Sequence, residues 1–265
     1  MTLKDILGNE LFVSEELIFI QQRKMACTHI TSILEQIFTG EVTKKHAHVS
    51  HELLESNRHV YSSIRNPWDW YLSLWTYGVQ VGGGLKGNLI RNDSTLQMFY
   101  QDANDVDSFR KWLKFIHDSE NSHLLGEGYA SSNTATFCGF MTFRYLRHCC
   151  LVDSKMYALN EADLDNLQSI KTIEHIFDFN NKKCFVDYFF RQELLEQSLI
   201  DGINMICNLN QEQIDIINSL EKTNTSIRPL SISQYYDEET VELVSRRDRF
   251  IVEKFNYNPP KIDNN

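Results

Sequence analysis

Glu16-Leu-Ile-Phe-Ile-Gln21-Gln-Arg-Lys24-Met-Ala-Cys-Thr28-His-Ile-Thr-Ser-Ile-Leu-Glu-Gln-Ile-Phe38 is the stretch that decides the fold. Glu16-Leu-Ile-Phe-Ile-Gln21 is a short apolar run suited to a buried strand. A polar hinge follows. From Thr28, apolar residues Ile30, Ile33, Leu34, Ile37 and Phe38 recur at helical spacing, and Gly40 supplies a stop. Strand, loop and helix in this order open an α/β fold. A short helix is expected over Val49 to Ser56, and then the pattern repeats. His59-Val-Tyr-Ser-Ser-Ile-Arg65 is rich in strand formers and runs into Asn66-Pro67, an N-cap followed by a proline fit for the first helical position. Asp69 sits in the first turn of the aromatic helix Trp68 to Tyr77.

The remaining chain predicts a helix over Val106 to His117, a strand Phe185-Val-Asp-Tyr-Phe-Phe190 ending at Arg191-Gln-Glu193, and helices over Leu194–Cys207, Gln211–Leu220 and Asp237–Phe255. Alternating strands and helices imply a mainly parallel sheet covered on both faces, a three-layer α/β domain. One domain over residues 1–257 is expected, with a loop-rich insertion around 78–136. Within it, Gly82-Gly83-Gly84, Gly87 and several Asn and Asp predict a long exposed loop or lid over 78–104. The tail after about Asn256, residues 258–265 in particular, reads as disordered.

The chain has 265 residues, with 42% hydrophobic and 23% charged side chains. These values exclude disorder, collagen and coiled coil as the overall class. Twenty-six Lys+Arg against 36 Asp+Glu leave a net charge of −10, which argues against wrapping nucleic acid or an anionic membrane. Six cysteines stand at irregular spacings without a CxxC, so zinc-ribbon and thioredoxin readings fail and reduced thiols are expected. No apolar run reaches the roughly 18 residues of a membrane span, and the first residues lack a signal-peptide profile. The expectation is a soluble, cytoplasmic protein without membrane insertion.

Two junctions carry candidate chemistry. Lys24-Met-Ala-Cys-Thr28 lies between a strand and a helix start, where backbone N–H groups and the helix dipole suit an anion. Lys24 adds a charge and Thr28 a hydroxyl. The alternative is an ordinary turn with a solvated lysine. The pattern is not GxxxxGK[ST], and no GxGxxG occurs anywhere. At the second junction Arg65 ends the strand, and Ser73 returns to the face of the helix start two turns after Asn66. An Arg and a Ser so placed suit one phosphate, Arg through its forked donors. Paired to a carboxylate, the Arg would instead be structural.

Together the junctions resemble the sulfotransferases that use 3′-phosphoadenosine 5′-phosphosulfate (PAPS). Phe19-Ile-Gln-Gln-Arg-Lys-Met-Ala-Cys-Thr-His-Ile30 is similar to their 5′-phosphosulfate loop, Lys-Thr-Gly/Ala-Gly-Thr/Ser. Ile64-Arg-Asn-Pro-Trp-Asp-Trp-Tyr-Leu-Ser-Leu-Trp75 resembles their 3′-phosphate segment. Phe190-Arg-Gln-Glu-Leu, Asn224-Thr-Ser, Tyr235-Tyr-Asp-Glu-Glu-Thr240 and Phe255-Asn-Tyr257 resemble later anchors of the carbohydrate enzymes, while residues 78–180 are nearly unmatched. The resemblance implies a P-loop-like fold, with PAPS as co-substrate and adenosine 3′,5′-bisphosphate (PAP) as product. Lys24, Met25, Ala26, Cys27, Thr28 and His29 would form the phosphosulfate loop, Lys24 stabilising the leaving phosphate. Arg65 and Ser73 would hold the 3′-phosphate. Where the family prefers Gly, this chain has Cys27, whose Cβ crowds the backbone approach; a packing role suits it better than a reactive thiolate.

His46-Ala-His48-Val-Ser is similar to a His-Gly-His-Val-Ser segment of the uronyl 2-O-sulfotransferases, in which a histidine deprotonates the acceptor hydroxyl. That implies His48, then His46, as general base. The His-x-His spacing also suits a metal, but no further ligand with clear spacing follows, so no metal is expected. Surface histidines capping a helix are the bland alternative. Glu193 is an alternative base, although its likeness to the family favours a structural role with Arg191. Gly139-Phe-Met-Thr-Phe-Arg144 is a candidate for the acceptor pocket, and Trp68, Trp70 and Trp75 read as core. The acceptor implied is a hydroxyl of a carbohydrate or other small alcohol, with no nucleic-acid partner. Rival readings are a non-catalytic relative that binds a glycan or protein partner and a P-loop kinase.

Overall fold

The computed structural model describes residues 11–42, 48–154, 158–219 and 227–262. Along them run β1 (Leu11–Ser14), β2 (Leu17–Ile20), α1 (Cys27–Ile37), β3 (Gly40–Val42), α2 (His51–Leu54), β4 (His59–Ile64), α3 (Pro67–Gln80), α4 (Gly84–Asn92), α5 (Val106–His117), α6 (Ser122–Leu125), α7 (Phe140–Cys149), α8 (Glu161–Gln168), α9 (Ile173–Lys183), β5 (Tyr188–Arg191), α10 (Leu195–Asn204), α11 (Gln211–Ser219), α12 (Ile232–Tyr235), α13 (Glu238–Arg247) and α14 (Arg249–Lys254). The described residues of Met1–Arg65, His148–Met156 and Lys183–Thr225 form one compact unit. Those of Asn66–Arg147, Tyr157–Lys182 and Ser226–Asn265 form a second.

The first unit holds a five-stranded sheet of order β3-β1-β2-β4-β5. β2, β4 and β5 are parallel, with Ile18 opposite Val60 and Ile64 opposite Arg191. β1 is antiparallel to β2 and to β3. The sheet is therefore mixed, which corrects the mainly parallel expectation. The missed hairpin turns at Glu15-Glu16 without Gly, Asn or Pro. Ser14 builds that turn, its Oγ accepting the N–H groups of Glu16 and Leu17 at 3.2 and 3.1 Å. β3 opens with Gly40, where a Cβ would stand 2.6 Å from the Phe12 ring, so only glycine allows this close approach.

Alternation along the strands sorts side chains onto two faces. Phe12, Leu17, Phe19, Tyr61 and Phe190 pack with Cys27, Ile30, Ile33 and Leu34 of α1, Leu199 and Ile203 of α10, and Ile217 of α11. On the opposite face Leu11, Ile18, Ile20 and Val60 enclose Val49, with Leu53, Leu54, Phe185 and Val186 packed against them.

The second unit is helical. Trp68, Trp70 and Trp75 of α3 are fully buried, with Trp68 Nε1 donating to the Val241 carbonyl and Trp75 Nε1 to that of Phe99. Residues 78–104 are not an open loop. They form α4 and a 3-10 segment over Ser94–Tyr100, because Leu85, Leu89, Leu96, Phe99 and Tyr100 bury at helical intervals. The glycines serve as a turn, with Gly82 and Gly83 at φ 113° and 88°. The single helix expected over 237–255 breaks at Asp248 into α13 and α14. Asp248 is fully buried, its Oδ2 taking the Tyr71 hydroxyl and its Oδ1 the Thr142 N–H and hydroxyl, at 2.7–2.8 Å. Tyr257 is buried in the stretch expected to be disordered; residues 263–265 lie outside the described ones.

Candidate functional site

β2 ends at Ile20, and the chain needs six residues to reach α1. Gln21 and Gln22 are buried, and Met25, 1% exposed, anchors the loop in the interior. Lys24 and Ala26 on either side of Met25 adopt left-handed φ of 63° and 59°. Such a conformation costs a residue with a Cβ about 1–3 kcal/mol and concentrates at ligand-binding loops. Ala26 is the N-cap of α1 and has no capping side chain, and no acidic residue occupies the first turn. The contrast with α3 is sharp: Asn66 Oδ1 accepts the N–H groups of Trp68 and Asp69, and Asp69 meets the helix dipole. One of the two sequence-predicted helix starts is thus closed by its own side chains, while the other has no side-chain cap.

Arg65, one residue beyond β4, is 8% exposed, and its Nη1 donates to the Lys24 carbonyl at 2.9 Å. The guanidinium therefore braces the loop after β2 from the end of the neighbouring parallel strand. Both residues lie at the carboxyl edge of the parallel strands, where open α/β sheets bind ligands. Cys27, 7% exposed, packs among Phe19, Ile30 and Tyr61, which is the packing role expected of it. His29 is buried, and Thr28 is half-buried with its carbonyl accepting the Ser32 hydroxyl.

His48 lies against the opposite face of the sheet, next to Val49. Its ring stacks on that of His148, centroids 4.6 Å apart and planes 9° from parallel. His148 is 2% exposed, and the nitrogens of both rings are shielded from solvent. The segment bearing His148 is tied down at three points. Cys149 carbonyl accepts the Phe185 N–H at 3.1 Å, Asp153 N–H donates to the Val49 carbonyl at 3.0 Å, and Cys149 Sγ lies 3.5 Å from Gln22 Nε2. Gln22 Nε2 also meets Ser62 Oγ at 3.1 Å and the Ser63 carbonyl at 3.3 Å. The phosphosulfate-loop candidate and the base candidate are thereby linked through Gln22, Cys149 and His148.

The other candidates divide. His46 lies outside the described residues. Ser73 is buried on α3 in the second unit. Arg191 ends β5 in the first unit, its N–H donating to Ser198 Oγ, and Glu193 follows in an exposed turn. Within Gly139 to Arg144, Thr142 is held by Asp248, and buried Arg144 is ion-paired with Glu127 at 3.1 Å. Among the described residues no three His, Cys, Asp or Glu side chains gather as metal ligands. His148 and Gln22 were not singled out from sequence. His148 stands a hundred residues from its partner with no motif around it, and Gln22 differs from Gln21 only in the face it takes.

Comparison with protein-family models, with curated proteins and with solved structures finds no match to this chain.

Proposed function

We propose that the first unit is the donor site of a PAPS-dependent sulfotransferase with a P-loop-like, three-layer core. The observation that carries this reading is the brace from Arg65 to the Lys24 carbonyl, because it joins the two segments that resemble the family's donor motifs. The paired left-handed residues and the lack of a side-chain cap on α1 support it. In the reaction the acceptor oxygen attacks sulfur in line and the new S–O bond forms. The bond from sulfur to the bridging phosphate oxygen breaks, and its electron pair stays with PAP. Lys24 neutralises the charge gathering on that phosphate, while loop N–H groups and Thr28 hold its oxygens. Arg65 holds the 3′-phosphate through its forked donors and so selects PAPS over ATP. His48 takes the proton of the acceptor hydroxyl, the natural task of an imidazole near neutral pH. Positioning and electrostatics supply most of the rate.

The test is calorimetric titration with PAP beside ATP–Mg²⁺, repeated on Lys24→Ala and Arg65→Ala. Selective binding of PAP that is lost in Arg65→Ala supports the donor site; equal or stronger binding of ATP–Mg²⁺ supports the kinase reading, and no binding of either ends the sulfotransferase one. A second reading, a non-catalytic PAP-binding relative, is favoured by the shielding of the His48 nitrogens. Donor binding without turnover on a panel of sugar and small-alcohol acceptors would establish it.

A further inference from the structure

A general base is effective only when its ring is held in one orientation, and a histidine beside an apolar residue has two torsions to lose. The His48 ring is stacked on another imidazole. His148 lies face to face with it at 4.6 Å and is buried at the end of α7. The three ties on Cys149 and Asp153 fix the segment on which His148 stands. One of those ties ends on Gln22, two residues before Lys24.

We propose that His148 is a positioning residue for His48: its buried imidazole sets the plane of the base by stacking, and Gln22 and Cys149 carry that placement back to the donor loop. The proposal rests on the sulfotransferase reading for its consequence in turnover, and on the stacked pair alone for its physical content. His148 itself touches no reacting atom. An aromatic ring of any kind at position 148 therefore preserves the function, and an aliphatic side chain of similar bulk does not.

The experiment uses the full chain with His148→Phe and His148→Leu, each first shown by thermal melting to be folded. Three quantities are read: kcat with a PAPS donor, the Kd for PAP, and the ring-proton resonances of His48 by NMR. In His148→Leu, kcat falls by about tenfold or more while the PAP Kd stays within a factor of two, and the His48 ring protons move downfield as the stacked ring current is lost. His148→Phe restores kcat to within a few-fold and returns the His48 shifts toward their original positions. Unchanged His48 resonances in His148→Leu overturn the proposal, as does equal loss of kcat in both variants. If the unsubstituted protein neither binds PAP nor turns over, the sulfotransferase reading falls, and the His48 resonances alone decide whether His148 holds that ring.

Discussion

Replacing Arg65 by alanine removes one guanidinium with two assigned tasks, and their energies separate. The first is structural. Nη1 donates to the Lys24 carbonyl at 2.9 Å from a side chain 8% exposed, so the bond is charge-assisted and little screened. Such a bond contributes about 1.5–3 kcal/mol. It holds a loop that carries two left-handed residues, each strained by about 1–3 kcal/mol, so the loop relaxes once the brace is gone. Denaturant unfolding of Arg65→Ala should therefore show a loss of about 1.5–3 kcal/mol with an unchanged slope. The second, under the proposed function, is the clamp on the 3′-phosphate. Truncating one partner of a buried, hydrogen-bonded charge pair costs about 2–5 kcal/mol. At about 1.4 kcal/mol per tenfold, the PAP Kd rises by about 30-fold to a few thousand-fold. Calorimetry at fixed ionic strength measures it. Arg65→Lys keeps the charge without the fork and falls between the two. A PAP Kd within threefold of the original in a folded Arg65→Ala protein would refute the reasoning, leaving Arg65 a structural brace and the phosphate, if bound at all, held elsewhere.

Ala26→Val places a β-branched residue at φ 59° and lowers stability by about 1–3 kcal/mol, whereas Ala26→Gly is nearly neutral; denaturant midpoints compare them. Gly202→Ala drives a Cβ to 2.6 Å from the Tyr188 ring and 2.9 Å from that of Phe190, so α10 shifts off β5 at a cost of about 1–3 kcal/mol in the same assay. Burial pushes the Tyr61 phenol from 10.0 up to about 12, so the folded state keeps a proton that the unfolded state releases. Its contribution is whole below pH 10 and is lost between pH 10 and 12, at up to about 1.4 kcal/mol per pH unit. Tyr61→Phe flattens that part of the stability profile and gives up its hydrogen bond to the Gly202 carbonyl. Diethyl pyrocarbonate should acylate His51, whose side chain is 76% exposed, well before His48, whose ring nitrogens are shielded; peptide mass spectrometry orders the two.

Elements with a local signal were legible. β2 and α1 follow from the change of period after the hinge, and α3 follows from Asn66-Pro67, whose cap geometry is the one those residues favour. α5 is bounded by Asp105 as cap and by a strong apolar stripe at Phe109, Trp112, Leu113 and Ile116. β1 and β3 were not legible, being four and three residues long, and the turn from β1 to β2 is made by Ser14 without glycine. α7 was hidden for a different reason. It is buried on every side, yet carries Thr142, Arg144, Arg147 and His148, so its sequence shows no apolar stripe. Thr142 is met by Asp248, and Arg144 and Arg147 by Glu127, partners that only the tertiary fold supplies. The loop candidates could be proposed because their chemistry is local. The stacked pair could not, because stacking leaves no mark in the sequence.

The position of β5 has a consequence for how this chain comes off the ribosome. Its partner strand β4 is completed early, yet the N–H of Val60 waits for the carboxylate of Asp187, 127 residues later in the chain. At about 5–20 residues per second, that interval is roughly 6–25 s. Until it ends, β4 is an outer strand with five buried side chains and an unpaired ladder, a template for any other extended chain nearby. The growing polypeptide therefore passes through a period in which Arg65 is already made but the strand before it has only one neighbour.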